Sequence, residues 1–177
     1  MTVDELLERL AALASVTSEG TPGLSELDHA LQCAHALAAT RPDDTGLQLA
    51  GLVHDIGHDL GSEAEHGRLG ATLVRDLLGE RVAALVEAHV PAKRYLVTVD
   101  TSYGGLLSAG STHTLALQGG VMDDAAVSDF VSSPVHDDAV ALRRADDAAK
   151  VPGWRVPSLD AWAPVLVRWA DPEAGHG

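Results

Sequence analysis

Two histidines flank an aspartate in the stretch Leu52-Val53-His54-Asp55-Ile56-Gly57-His58. On a helix, positions i and i+4 share one face with Cβ atoms about 5–6 Å apart. His54 and His58 then point into the same space. Asp55 leaves the helix roughly 100° away, which suits a carboxylate that bridges two metal ions. A His-Asp dipeptide also arises by chance, so its meaning depends on what else the chain brings. Five histidines, His29, His54, His58, His66 and His89, fall near the starts or ends of expected core helices. Taken singly, each reads as a satisfied core histidine. Together with Asp55 and a downstream Asp146 they read as ligands, because neutral imidazole and carboxylate are the common donors for mid-series divalent metals. Asp146 shares a helix face with Lys150 at i+4 and Arg143 at i−3. A metal contact explains a buried aspartate there, and so does an ion pair to either cation. His35, His113, His136 and His176 read as background.

Those donors need helices to bring them together. Leucines at 6, 7, 10 and 13 mark a stripe over Val3–Ala14. A polar loop follows over Ser15–Ser25, and Ser25-Glu26-Leu27-Asp28 starts a helix to about Ala39. Thr45-Gly46-Leu47-Gln48 opens the helix expected to carry His54 and His58, loosened and ended by Gly57 and Gly61. Ser62-Glu63-Ala64-Glu65 opens the next, closed by Gly79. Arg81–His89 forms another, interrupted by Pro91, with Lys93-Arg94-Tyr95-Leu96 resuming it. Thr98–Gly120 is undecided between short helices and loops. Asp123 caps a helix over Ala125–Ser132, Ser133-Pro134 starts one running to about Lys150, and Ser158–Ala170 is the last. A disordered tail is expected after Pro172. No period-2 strand and no repeat is evident. The reading is all-α, about eight helices in one domain over 1–177, with its core at about 19–150.

The chain has 177 residues and 46% hydrophobic content but only 3% aromatics, so an aliphatic core is expected. No run of 18 apolar residues suggests a membrane span. The lone Cys33 fits a reducing cytoplasm. A formal charge of −14 argues against a nucleic-acid partner. A small anion can still bind if cations gather locally, and Lys93, Arg94, Arg143, Arg144 and Lys150 lie near the candidate ligands in sequence.

The order His29, His54-Asp55, His66, His89, Asp146 resembles the HD-domain superfamily. The phrases Leu27-Asp28-His29-Ala30-Leu31-Gln32, His54-Asp55-Ile56-Gly57-His58, His89-Val90-Pro91-Ala92-Lys93-Arg94-Tyr95-Leu96, Leu117-Gln118-Gly119-Gly120 and Leu142-Arg143-Arg144-Ala145-Asp146-Asp147-Ala148-Ala149-Lys150 are similar to its phosphonate-cleaving branch. Those enzymes are mixed-valent di-iron oxygenases, relatives of myo-inositol oxygenase. The resemblance implies an HD-domain helical bundle with a dinuclear site in its core. It implies two Fe ions (Fe2+/Fe3+), one held by His29, His54, Asp55 and Asp146 and the other by Asp55, His66 and His89. His58 would then contact substrate, and Lys93, Ser111, Gln118 and Arg143 would hold the phosphonate. The implied activity is oxidative C–P cleavage of a small 1-hydroxyphosphonate with O2, by a monomer or homodimer. One departure stands out. The family's tyrosine and Gly-Glu-Pro lid are replaced by Ser18-Glu19-Gly20-Thr21-Pro22-Gly23-Leu24, with Glu19 as a possible lid residue. The rival activity is a metal-dependent phosphohydrolase acting on a nucleotide or phosphate monoester.

Overall fold

A computed structural model describes residues 1–18 and 20–171 of the chain. Glu19 and the expected tail at 172–177, with His176, lie outside the described residues. Among the described residues there are nine α-helices, two short 3₁₀ turns and one isolated bridge, Thr17 to Ser25. The all-α expectation holds. In order the helices are α1 (Val3–Ala12), α2 (Glu26–Thr40), α3 (Thr45–Val53), α4 (His66–Leu78), α5 (Glu80–Val99), α6 (Ala109–Leu117), α7 (Asp124–Val131), α8 (His136–Ala148) and α9 (Leu159–Ala170).

The inner helix α3 is buried along Gly46–Val53, so it meets protein on every side. Its neighbours are α2, α5 and α8, and α5 also packs along α4. The core is aliphatic, with Leu37, Leu47, Leu49, Leu52, Leu85 and Leu142 almost inaccessible. Each such leucine contributes about 1.5–3 kcal/mol on burial. Side-chain caps fix the entry points. Ser25 Oγ accepts from Asp28 N at 3.0 Å at the head of α2. Asp44, one residue before the expected start, caps α3 through Leu47 N at 3.0 Å. Arg81 Nη1 donates to the same Asp44 oxygen at 2.7 Å, which ties that cap to α5.

Three differences from the sequence reading bear on the site. First, α3 ends at Val53, so His54 and His58 do not share a regular helix face. Residues 54–60 wind instead through tight turns, with Ile56 N, His58 N and Leu60 N each bonded to the carbonyl three residues back. Close packing forces this: a Cβ on Gly57 would lie 2.2 Å from the His66 carbonyl oxygen and 2.6 Å from Gly70 N. Second, α4 begins at His66 rather than at Ser62, because Ser62–Glu65 closes as a turn with Ser62 Oγ bonded to Glu65 Oε2. Third, α5 runs unbroken through Pro91. The carbonyl that Pro91 cannot serve belongs to Glu87. It faces α4 at Gly67, where the absent side chain lets the two backbones approach. The undecided stretch resolves into a 3₁₀ turn at Tyr103–Leu106 and α6, and α8 starts at His136, just after Pro134.

Candidate metal centre and substrate pocket

Four buried imidazoles converge where α2, α3, α4 and α5 meet: His29, His54, His66 and His89. Each ring is oriented by a main-chain carbonyl. His54 Nδ1 lies 2.9 Å from Gly51 O, His66 Nδ1 2.7 Å from Glu63 O, and His89 Nδ1 2.6 Å from Val86 O. All three bonds reach three residues back along the chain. His29 is tied at long range, with Nδ1 3.1 Å from Ala149 O, which staples α2 to the end of α8. A carbonyl can only accept, so each Nδ1 carries a hydrogen and each ring, when neutral, presents its Nε2 lone pair inward.

The inward atoms then face one another. His29 Nε2 and His54 Nε2 are 3.2 Å apart, and His66 Nε2 and His89 Nε2 are 2.9 Å apart. Opposed lone pairs at this range repel unless a proton or a cation lies between them. Donors on one ion at metal–nitrogen distances near 2.1 Å sit roughly 3.0–3.5 Å apart, so the spacing fits a shared cation. Asp55 stands between the two pairs. Its Oδ2 is 3.1 Å from His54 Nε2 and 3.6 Å from His29 Nε2, while Oδ1 is 3.5 Å from both His66 and His89 Nε2. One oxygen per pair is the disposition a bridging carboxylate requires. Asp146 Oδ1 completes the first group, 3.2 Å from His29 Nε2. His29, His54 and Asp146 thus form one potential metal-holding group, and Asp55, His58 and His66 another. For the second, His89 is the better donor than His58. The His58 ring stacks on His66 with planes only 11° apart, and parallel rings direct their lone pairs side by side rather than onto one point.

The charge balance agrees with a cation site. Burial opposes protonation of His29, yet its contacts with Asp146 and Asp55 push its pKa up to about 9. Burial likewise opposes charge on His58, and Asp55 with Glu63 outweighs it, giving about 11. His89 is pushed down to about 4, chiefly by burial. Burial alone would raise Asp55, but His54 and His58 hold it well below the usual carboxylate range. Arg143 and Lys150 do the same for Asp146. Positive charge is drawn to the place where the imidazoles and carboxylates meet.

A small cleft of about 50 Å³ opens above this cluster. Its opposite wall is basic. Lys93 Nζ donates to Thr114 Oγ1 at 2.8 Å, and Lys150 Nζ donates to Asp146 Oδ1 at 2.8 Å and Ser111 Oγ at 3.1 Å. Arg143 Nη1 pairs with Asp146 Oδ2 at 2.7 Å, Nη2 donates to Ser111 Oγ at 3.3 Å and to Asp147, and Nε donates to Tyr103 Oη at 3.0 Å. Burial, with Arg143 nearby, pushes the Lys93 pKa down to about 8. Of the five cations noted in the sequence, these three line the pocket. Arg94 turns away to the Gly120 carbonyl and Arg144 is exposed.

Every other expected site residue among those described also borders the cleft or the buried cluster beneath it, including His58, Ser111 and Gln118. Gln118 points Nε2 toward the Glu63 carbonyl at 3.4 Å, leaving Oε1 buried and unpartnered. Near the expected lid, Ser18 lines the cleft and the Gly20 backbone packs against Gly110. The sequence reading missed Thr114, Glu63 and Tyr103. Thr114 had a signal, since Ser111, Thr114 and Gln118 follow the i, i+3, i+7 spacing of one helix face. Glu63 and Tyr103 sit in turns, where no periodicity marks them. The three background histidines among the described residues divide plainly. His35 packs on Trp154, His136 packs on Tyr95 and Phe130, and His113 is absent from the pocket lining.

A family model described as "HD domain" matches residues 27–116, half of the chain. The chain belongs to the HD-domain family. The match stops before α8, so the HD-domain residues His29, His54 and Asp55 receive Asp146 from a helix beyond it. Over 150 residues the chain is 41% identical to a hydroxymethylphosphonate dioxygenase of Gimesia maris, covering 78% of this chain and 74% of the relative. It is 31% identical over 158 residues to a [1-hydroxy-2-(trimethylamino)ethyl]phosphonate dioxygenase (glycine-betaine-forming) of Leisingera caerulea, covering 84% and 80%. An uncharacterized protein of Acanthamoeba polyphaga mimivirus is 29% identical over 157 residues, 82% of this chain and 71% of that one. The resemblance to the phosphonate-oxygenase branch of HD domains therefore holds. No described helix is long and apolar enough to cross a membrane.

Proposed function

We propose that this HD domain is a di-iron oxygenase that cleaves the C–P bond of a small 1-hydroxyphosphonate with O2, giving phosphate and a carboxylic acid. The observation that carries this reading is one pocket with two imidazole pairs sharing a carboxylate on one side and three cations on the other. The similarity to phosphonate dioxygenases supports it. His29, His54, Asp146 and Asp55 would hold one iron, and Asp55, His66 and His89 the other. The Fe2+/Fe3+ pair would supply the redox chemistry with O2. Lys93 and Arg143, with Ser111 and Gln118, would hold the phosphonate, since charge-assisted bonds to a dianion are short and directional. Held there, the hydroxyl-bearing carbon faces the imidazole cluster, with His58 at its side. For hydroxymethylphosphonate the balance is one substrate and one O2 giving formate, phosphate and a proton, with no outside reductant. The narrow cleft favours a substrate of few heavy atoms. The same proposal takes residues 1–177 as one domain and the cytoplasm as its location.

The test is anaerobic loading with iron, followed by addition of hydroxymethylphosphonate and O2. One phosphate released per O2 consumed supports the reading, together with an EPR signal from a mixed-valent pair. Phosphate released from p-nitrophenyl phosphate without O2, and none from the phosphonate, would replace it with the hydrolase reading.

A further inference from the structure

The turn between α3 and α4 places Glu63 against three side chains of the site. Its carbonyl accepts from His66 Nδ1 at 2.7 Å and from Gln118 Nε2 at 3.4 Å. Its carboxylate Oε1 lies 3.2 Å from His58 Nδ1, and Oε2 is buried without a protein partner. The other nitrogen of His58, Nε2, is 3.2 Å from Asp55 Oδ1, and both residues line the cleft. The ring itself rests on His66, centroids 4.2 Å apart. Stacking fixes the plane of a ring but allows a half-turn about the Cβ–Cγ bond, which keeps that plane and exchanges the nitrogens with carbons. His58 is also the least enclosed of the five clustered histidines, with 34% of its side chain exposed, so packing does not lock it. Glu63 at Nδ1 and Asp55 at Nε2 hold the ring against that half-turn, and of the two Glu63 is the one outside the candidate metal cluster.

We infer that Glu63 is a positioning residue, whose side chain holds His58 by Nδ1 so that Nε2 faces the substrate, while its main chain separately orients His66. This rests on the oxygenase reading. The division of labour makes it separable by substitution. Replacing Glu63 removes the carboxylate and leaves the carbonyl, so His66 keeps its orientation and the metal ligands are untouched. Misplacing a group beside the reacting carbon lowers turnover more than binding when the phosphonate is anchored elsewhere. The basic wall provides that anchor. An orienting partner of this kind is worth about 10–100-fold.

The experiment compares wild type, Glu63→Ala, Glu63→Gln, His58→Ala and the double variant His58→Ala/Glu63→Ala. Each is assayed for iron content, anaerobic calorimetric binding of hydroxymethylphosphonate, and kcat. Expected for Glu63→Ala are two irons per chain, a Kd within about threefold of wild type, and a kcat lower by about 10–100-fold. Glu63→Gln retains an acceptor oxygen and should recover to within about fivefold of wild type. The double variant should be no slower than His58→Ala alone, because Glu63 acts through that ring. A readout free of turnover is the His58 ring-proton NMR signal in zinc-loaded protein. It should be a single sharp set in wild type and Glu63→Gln and broadened in Glu63→Ala. Unchanged kcat in Glu63→Ala, iron loss in that variant, or an additive loss in the double variant would each overturn the inference. A wild-type protein that carries two irons yet leaves 1-hydroxyphosphonates intact sinks the oxygenase reading instead. The NMR comparison then decides on Glu63 alone.

Discussion

Lys93→Met isolates the anion-binding role. Methionine keeps the unbranched stem and removes only the ammonium. Lys93 is 2% exposed, and its Nζ is held by Thr114 Oγ1 at 2.8 Å and the Ser111 carbonyl at 3.4 Å. Those two bonds leave one N–H free for a ligand. A charge-assisted hydrogen bond to a buried anion contributes about 1.5–3 kcal/mol. At ~1.4 kcal/mol per decade this is roughly a 10–150-fold rise in KM. The Ki of inorganic phosphate should rise in parallel. The pH dependence follows from the lowered pKa. Lys93 titrates at about 8 in the fold against its ordinary 10.5. The wild-type KM should therefore climb as pH passes 8, and that climb should be absent from Lys93→Met. Stability moves the other way. Between about pH 8 and 10.5 the unfolded chain keeps the proton that the folded chain has lost, so folding gains stability as pH rises. Below pH 8 the buried charge is a burden, and Lys93→Met should melt no lower than wild type. Steady-state kinetics from pH 7 to 9, with phosphate inhibition and thermal melts, gives all these quantities. A KM and a phosphate Ki that neither the substitution nor pH alters would show that the anion is held without Lys93.

Three further outcomes test the rest of the site. His66→Ala should retain about one iron per chain by elemental analysis, because His29, His54 and Asp146 form a separate group; retention of two refutes the ligand assignment. Gly57→Ala places a methyl 2.2 Å from the His66 carbonyl oxygen and should cost at least about 2 kcal/mol in urea unfolding with partial loss of iron; a neutral effect would contradict the close backbone approach. Chelation should lower Tm, since a cation that binds only the folded cluster stabilises it by mass action. The drop should shrink at acid pH, where protons compete for the imidazoles. An equal drop at pH 6 and 8 would argue against histidine ligation.

That the candidate cluster comes together was legible because its chemistry is carried by residue types. Imidazoles at His29, His54, His66 and His89 with Asp55 and Asp146 are the donor types of a cation site whatever path the backbone takes. The path itself was less legible. A capping-box spacing at Ser62 suggested a helix start, but the same hydroxyl and carboxylate satisfy a turn, and α4 waits until His66. His54 and His58 looked like helix neighbours because spacing cannot report that Gly57 is pressed against α4. Pro91 signalled a break, yet packing of α5 against α3, α4 and α8 holds the helix through it. Arg143 and Lys93 were found by charge. Tyr103 and Glu63 were not, because turn residues gain their roles from partners 40 and 5 positions away, Arg143 and His58.

The carbonyls that aim the four imidazoles have a consequence for how this site can change. An acceptor supplied by a side chain is lost with one codon. Gly51 O, Glu63 O, Val86 O and Ala149 O belong to the peptide unit itself, so no ordinary amino-acid replacement deletes them. Mutation can strike the imidazoles or bend the turns that carry them. It cannot quietly mis-aim a ring while leaving the winding of the chain intact. Variation in this protein should therefore retune the pocket walls freely, while the imidazole cluster changes only by losing a ring outright or by a bend in the turn that carries it.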